Sequence, residues 1–272
     1  MKITNFNYLA IFLVSFSVNT VFSAEVVLVP AGSFHMGCSI NDAKCDVDEG
    51  SVGGTKVNVP AFKIDKNEVT VSEYEQCISS GKCNKPKDFK RNKYCNLNAP
   101  NRAKHPINCI DWQDAQAYCK TKSGRLPYEA EWEKAARAGD KTAYPTGNSI
   151  DCKTAIHDDN HTAGSVKGEF DGCGEDRTWA VASRKANSFG LFDMHGNAGE
   201  WTANWYEKNA ITALYAKGML SAPKSGNKRV VRGGSWDENT KNLRNSYRNV
   251  KQPDSANSVY GSIGFRCAYD VK

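Results

Sequence analysis

The 272-residue sequence has no proline- or serine-rich linker, no low-complexity tract, no short internal repeat and no series of long apolar runs. With 40% apolar, 24% charged and 10% aromatic residues, those absences exclude a disordered tail, a collagen-like fibre and a multi-span membrane protein. Excess charge is scarce too. Lys and Arg number 36 against 30 Asp and Glu, and a net +6 spread over the whole chain does not point to nucleic acid. There is no Walker or G-x-G-x-x-G motif, no Ser/His/Asp constellation that spacing alone justifies, and no CxxC pair to go with the five histidines. What the chain does have is 22 Gly, 11 Tyr, 11 Phe and 6 Trp, the composition of a loop-rich, aromatic-rich protein.

Residues 1–23 read as a signal peptide: Lys2 precedes an apolar run from Tyr8 to Val18, with the small residues Val21 and Ser23 before a mature start at Ala24. The run is short for a membrane anchor, and no cysteine stands at the cleavage point for lipid attachment. The expectation is a periplasmic or secreted protein with no membrane span in the mature chain, and one domain over 24–272.

All ten cysteines follow that segment, and an even set in an exported chain argues for disulfides. Cys38 and Cys45, Cys77 and Cys83, Cys95 and Cys109, and Cys152 and Cys173 are near neighbours in sequence, which leaves Cys119 and Cys267. Sequence alone does not decide the connectivity.

The expected fold class is α+β, with few helices and short strands. The S-x-x-E pattern at Ser72 and Glu75 reads as a capping box for a helix carrying Tyr74, Cys77 and Ile78 and ending at Gly81. Asp111 is placed to cap a second helix with Trp112, Ala115 and Cys119 on one face. Pro127 suits the first turn of a third, with Trp132, Ala135 and Ala136 inward and Gly139 at its end. Glu131 and Glu133 flank Trp132, and at least one is expected on a solvated face. Strands are expected at Glu25–Val29, Phe62–Asp65 and Arg229–Arg232. Trp112, Trp132, Trp201, Trp205 and Trp236 are expected to pack in the core, and Arg125 and Arg266 to form buried or half-buried salt bridges.

Five segments occur in a recognisable order: VPAGSFHMG (29–37), NEVTVSEYEQC (67–77), HPINCIDWQDAQAYCKTKSGRLPYEAEWEKAARAG (105–139), FGLFDMHGNAGEWTANW (189–205) and RVVRGGSW…GFRCA (229–268). Together they resemble the formylglycine-generating-enzyme, or sulfatase-modifying-factor, family. The resemblance covers essentially the whole mature chain. It implies a C-type-lectin-like variant fold and a bridge from the AYC helix to the GFRC strand, Cys119 to Cys267 here.

Members that generate formylglycine use two cysteines shortly after GGS to hold copper(I), which requires soft thiolates. After Gly233-Gly234-Ser235 this chain reads WDENTKNLRNSYRN, without cysteine; Glu238 and Leu243 stand near the thiol positions. Copper chemistry is therefore not expected, and no catalytic residue is assigned. The resemblance also implies a structural calcium site in the loop Leu191–Trp201, with carboxylates from Asp193 and Glu200 and carbonyls from Gly196 and Ala198. Gly199 replaces the family's usual Trp there. A second family calcium site has no counterpart between Cys152 and Cys173. His157, Asp158, Asp159 and His161 read as an exposed polar loop rather than a metal site.

The segment from Trp236 to Asn249 is dense in polar and aromatic groups. Trp236, Asn239, Asn242, Arg244, Tyr247 and Arg248 are the candidate binding surface for a protein or glycan. It also resembles the diversified region of retroelement-varied lectin-fold proteins. The expected function is a non-catalytic binding or maturation-accessory protein of the cell envelope. The alternative is an oxidoreductase-type maturation enzyme, metal- and oxygen-dependent, acting on a sulfatase or siderophore through a non-standard site; cysteine-less relatives include proteins of siderophore maturation.

Overall fold

The structure, a computed structural model, describes residues 24–86, 92–158, 173–174, 177–254 and 261–271. The segment read as a signal peptide lies outside them, as do Asp159 and His161. Strand β1 (Val26–Val29) and the last strand, β9 (Ala268–Asp270), both pair antiparallel with β4 (Phe62–Asp65), so the two ends of the domain meet in one sheet. Strands β2 (Gly32–Met36) and β3 (Thr55–Val59) form a separate antiparallel pair. A third sheet has the order β7-β6-β5-β8, from β5 (Gly199–Trp205), β6 (Arg229–Arg232), β7 (Asn249–Lys251) and the two-residue β8 (Ile263–Gly264). Three helices of nine or ten residues and short 3-10 turns complete a loop-rich α+β fold. Among the described residues no helix is long and apolar enough to cross a membrane.

Helix α1 (Val71–Ser79) is capped by Thr70, two residues before the expected cap Ser72. Thr70, extended at φ −84° and ψ 160°, accepts from the Glu73 amide, while the Glu73 carboxylate accepts from the Thr70 amide at 2.8 Å. Thr70 and Ser72 both satisfy the same four-residue pattern, and the residue whose backbone stays extended becomes the cap. Helix α2 (Trp112–Thr121) has Asp111 at the expected N-cap position, but the Asp111 side chain makes no capping hydrogen bond to the first turn.

Helix α3 (Glu129–Arg137) begins after the expected Pro127. Tyr128 is still extended, and the Pro127 carbonyl accepts from Ala203 of β5. At the other end Ala138 takes a left-handed φ of 47° before Gly139. All nine residues of α3 are buried. This overturns the solvated face expected for Glu131 or Glu133, which are 3% and 0% exposed. Glu131 pairs with Arg125, and Glu133 pairs with Arg137 and Arg232. Burying a carboxylate is tolerable only when it is paired in this way.

Apolar side chains form two main clusters. One joins α1, α2 and the chain around Phe265; the other joins α3 to β2, β3 and β4. Trp132, Trp201 and Trp236 are fully buried. Trp112 and Trp205 are half-buried and hold the Arg229 guanidinium between their rings, 3.5 and 3.4 Å from the centroids. Five disulfides staple the whole: Cys38–Cys45, Cys77–Cys83, Cys95–Cys109, Cys152–Cys173 and Cys119–Cys267. No cysteine is free.

Candidate functional site

The loop before β5 is held by backbone bonds that admit little variation. Gly196 has φ +78°, and a Cβ there would lie 2.0 Å from the Ile156 carbonyl oxygen. The Gly196 amide donates to Gly233, the Asn197 amide to Ile156, and the Trp236 amide to Asn197. The loop is thereby sewn to the turn after β6.

Its side chains converge with Glu68 on a buried acidic cluster. Glu68 accepts from the Asn197 side-chain amide (2.6 Å) and the Ala198 backbone (2.8 Å). Asp193 accepts from the Ala182 amide at 2.7 Å. Glu200 accepts from the Trp132 indole at 2.7 Å and from Arg266 Nε and Nη2 at 2.7 to 2.9 Å. Arg266 is the buried ion pair anticipated from the sequence, and it also donates to the carbonyls of Asp65, Lys66 and Phe192. Burial, reinforced by Asp193 and Glu200, holds the Glu68 carboxyl well above its ordinary range, and burial raises Asp193 to about 6. Three carboxylates thus share the field of one guanidinium. Their oxygens are hard donors, so the residues present fit calcium in donor type. Glu68 was not singled out in the sequence, although it lies in the NEVT segment. Only its distance to residues 130 positions away reveals its place.

Residues 236–249 divide between interior and surface. Trp236 is buried against Tyr94, ring centroids 5.3 Å apart. Arg244 grips Glu49 with two bonds of 2.6 Å and Asp42 with one of 3.0 Å. Arg248 grips Glu129 at 2.6 and 2.9 Å and donates to the carbonyls of Asp48, Glu207 and Lys208. These three members of the expected binding surface are therefore interior; the arginines point inward because buried glutamates require them. Asn239 is exposed and caps the 3-10 turn Thr240–Leu243, and Asn242 and Tyr247 are half-exposed.

Leu243 is fully buried. Glu238 accepts from the Asn249 side chain at 3.0 Å through one oxygen, while its buried Oε2 has no hydrogen-bond partner among the described residues. Burial and the neighbouring Asp237 push its carboxyl up to about 7. His157, expected on an exposed loop, is 4% exposed and hydrogen-bonded to the Asp158 carbonyl. The sulfurs of Cys152 and Cys173 close to it are joined to each other, which leaves no thiolate there to bind a metal.

A family model, the sulfatase-modifying factor enzyme 1-like domain, matches residues 15–271. The chain belongs to the formylglycine-generating-enzyme family. Formylglycine-generating enzyme of Bos taurus is 31% identical over 294 residues, covering 90% of this chain and 75% of the bovine protein. Serine/threonine-protein kinase Pkn1 of Chlamydia trachomatis is 30% identical over 262 residues, covering 91% of this chain; the family member spans only 38% of that kinase. The solved structure of PvdO from Pseudomonas aeruginosa superposes with a TM-score of 0.69 at 26% identity, covering 90% of this chain and 94% of PvdO.

Proposed function

We propose that this family member is an exported protein that works without copper-thiol chemistry, as a binding or maturation-accessory protein of the cell envelope. The observation that carries the reading is the closure of all ten cysteines into five disulfides. Copper(I) requires soft thiolates, and Glu238 and Leu243, near the thiol positions of formylglycine-forming relatives, cannot supply them. A chain with five disulfides is also suited to the periplasm or the extracellular space. The experiment is a copper- and oxygen-dependent assay on a cysteine-containing peptide with the mature protein. The expected result is no formylglycine, and copper-dependent turnover would overturn the reading.

The face available for a protein or glycan ligand is that of Asn239, Asn242 and Tyr247, with Arg244 and Arg248 as its buried frame. Calcium is its structural ion in this reading. Asp193 and Glu200, with the Gly196 and Ala198 carbonyls, would hold the ion, and Glu68 would share in balancing its charge. Added calcium then raises the melting temperature over that in chelator by a few degrees, and Asp193→Asn abolishes the difference. An unchanged melting temperature would remove the ion from the account.

One observation favours the alternative, an oxidoreductase-type maturation enzyme. Glu238 presents a buried carboxylate oxygen, without a partner among the described residues, close to where the family's thiols stand. If that reading held, Glu238→Gln would abolish turnover of an envelope substrate while leaving the melting temperature within a few degrees.

A further inference from the structure

Helix α3 carries five charged residues, all buried. Four have ionic partners: Glu129 with Arg232 and Arg248, Glu131 with Arg125, and Glu133 with Arg137. Lys134 is the exception. It is 7% exposed, its ammonium donates to the carbonyls of Pro30 and Gly32 at 2.5 and 3.0 Å, and no carboxylate among the described residues pairs with it. Two carbonyl dipoles take two of its three N–H donors and leave its full charge in place. A buried ammonium with no counter-ion is costly, and burial lowers its pKa.

This ammonium lines a cavity of about 370 Å³ between the β1–β2 corner and the end of α3. The volume is in the range of small-ligand sites. Phe34 and Phe189, both half-buried, provide apolar wall, and the exposed Lys141 and His35 stand at the rim. Arg137 also lines the cavity, but its guanidinium is committed to Glu133, Ser39 and the carbonyls of Gly37 and Thr142. Asp140 is the single acid in the lining. Lys134 therefore lies beside apolar surface and open space, with no carboxylate paired to it among the described residues.

We propose that this cavity binds a small organic anion, a carboxylate on an apolar body, with Lys134 as its counter-ion and Phe34 and Phe189 as its walls. The site goes beyond the function proposed above and uses none of residues 236–249. A carboxylate entering it completes the one ion pair that α3 lacks. A neutral analogue of the same shape gains the apolar contact alone.

The test uses the full mature protein and two probes of matched shape, 3-phenylpropionate and 3-phenylpropan-1-ol. Calorimetric titration should show the acid binding about tenfold more tightly than the alcohol, and Lys134→Met should bring the acid down to the alcohol's level. Equal binding of the two probes, no binding of the acid at about 10 mM, or an acid affinity unchanged by Lys134→Met would each overturn the proposal. A second measurement needs only the wild-type chain, should the variant not fold. Reductive methylation mapped by mass spectrometry should show Lys134 protected by the acid and not by the alcohol, with the exposed Lys120 unaffected. Failure to protect Lys134 would sink the assignment.

Discussion

At the scale of single residues, backbone geometry and burial set the strongest expectations. Gly196 combines a positive φ with a Cβ position inside the Ile156 carbonyl oxygen. Gly196→Ala should therefore cost about 3 kcal/mol or more, measured as a lower urea midpoint at unchanged slope. Asp65 supplies a pH dependence. It accepts from the Cys267 amide and the Tyr269 hydroxyl, and burial raises its carboxyl from 3.8 to about 7. A carboxyl with a raised folded-state pKa keeps its proton longer in the native state. Its contribution is thus most favourable below about pH 4 and is lost as the pH rises toward about 7. Asp65→Asn should flatten the fall in stability between about pH 4 and pH 7, and an unchanged slope would assign that fall to other groups. Neither effect was legible in the sequence. Asp65 was read only as the end of a strand, and Gly196 only as a donor of a carbonyl, because both environments are made by chain far away.

At the scale of elements, local pattern and long-range pairing part company. The strands Phe62–Asp65 and Arg229–Arg232 were readable in full, and the starts of α1 and α3 were off by two residues. Helix α3 shows why more was not readable. Its pattern of small and aromatic residues implies one apolar face, whereas Glu129 and Glu133 are buried by Arg232 and Arg248, about a hundred positions away in sequence. The segment 236–249 has the same lesson reversed: polar residue types looked like surface, and two of the arginines are interior ties. A scan of that segment should therefore split. Arg244→Met leaves buried Glu49 uncompensated and should cost about 3–5 kcal/mol; Arg248→Met leaves Glu129 with Arg232 alone and should cost less, while Asn242→Ala should stay within about 0.5 kcal/mol. Thermal melts of the purified variants check this, and uniform small losses would mean that the buried pairs are not holding the segment.

At the scale of the whole molecule, the family and the fold were the most legible features, because five ordered motifs span residues 29–268. The disulfide frame is the physical link between that fold and the function proposed. Cys119–Cys267 closes a loop of 148 positions and ties α2 to the strand that pairs with β4. Its removal by Cys119→Ala with Cys267→Ala should lower stability by about 4–5 kcal/mol, whereas opening the six-residue Cys77–Cys83 loop should cost less. The same frame consumes every thiol. The central claim, that this family member carries no thiolate for copper, is tested most directly by alkylating the unfolded mature protein without reductant and weighing it intact. The account predicts no added alkyl groups and a peptide map with Cys119 joined to Cys267. Two alkylated cysteines in the native preparation would contradict it.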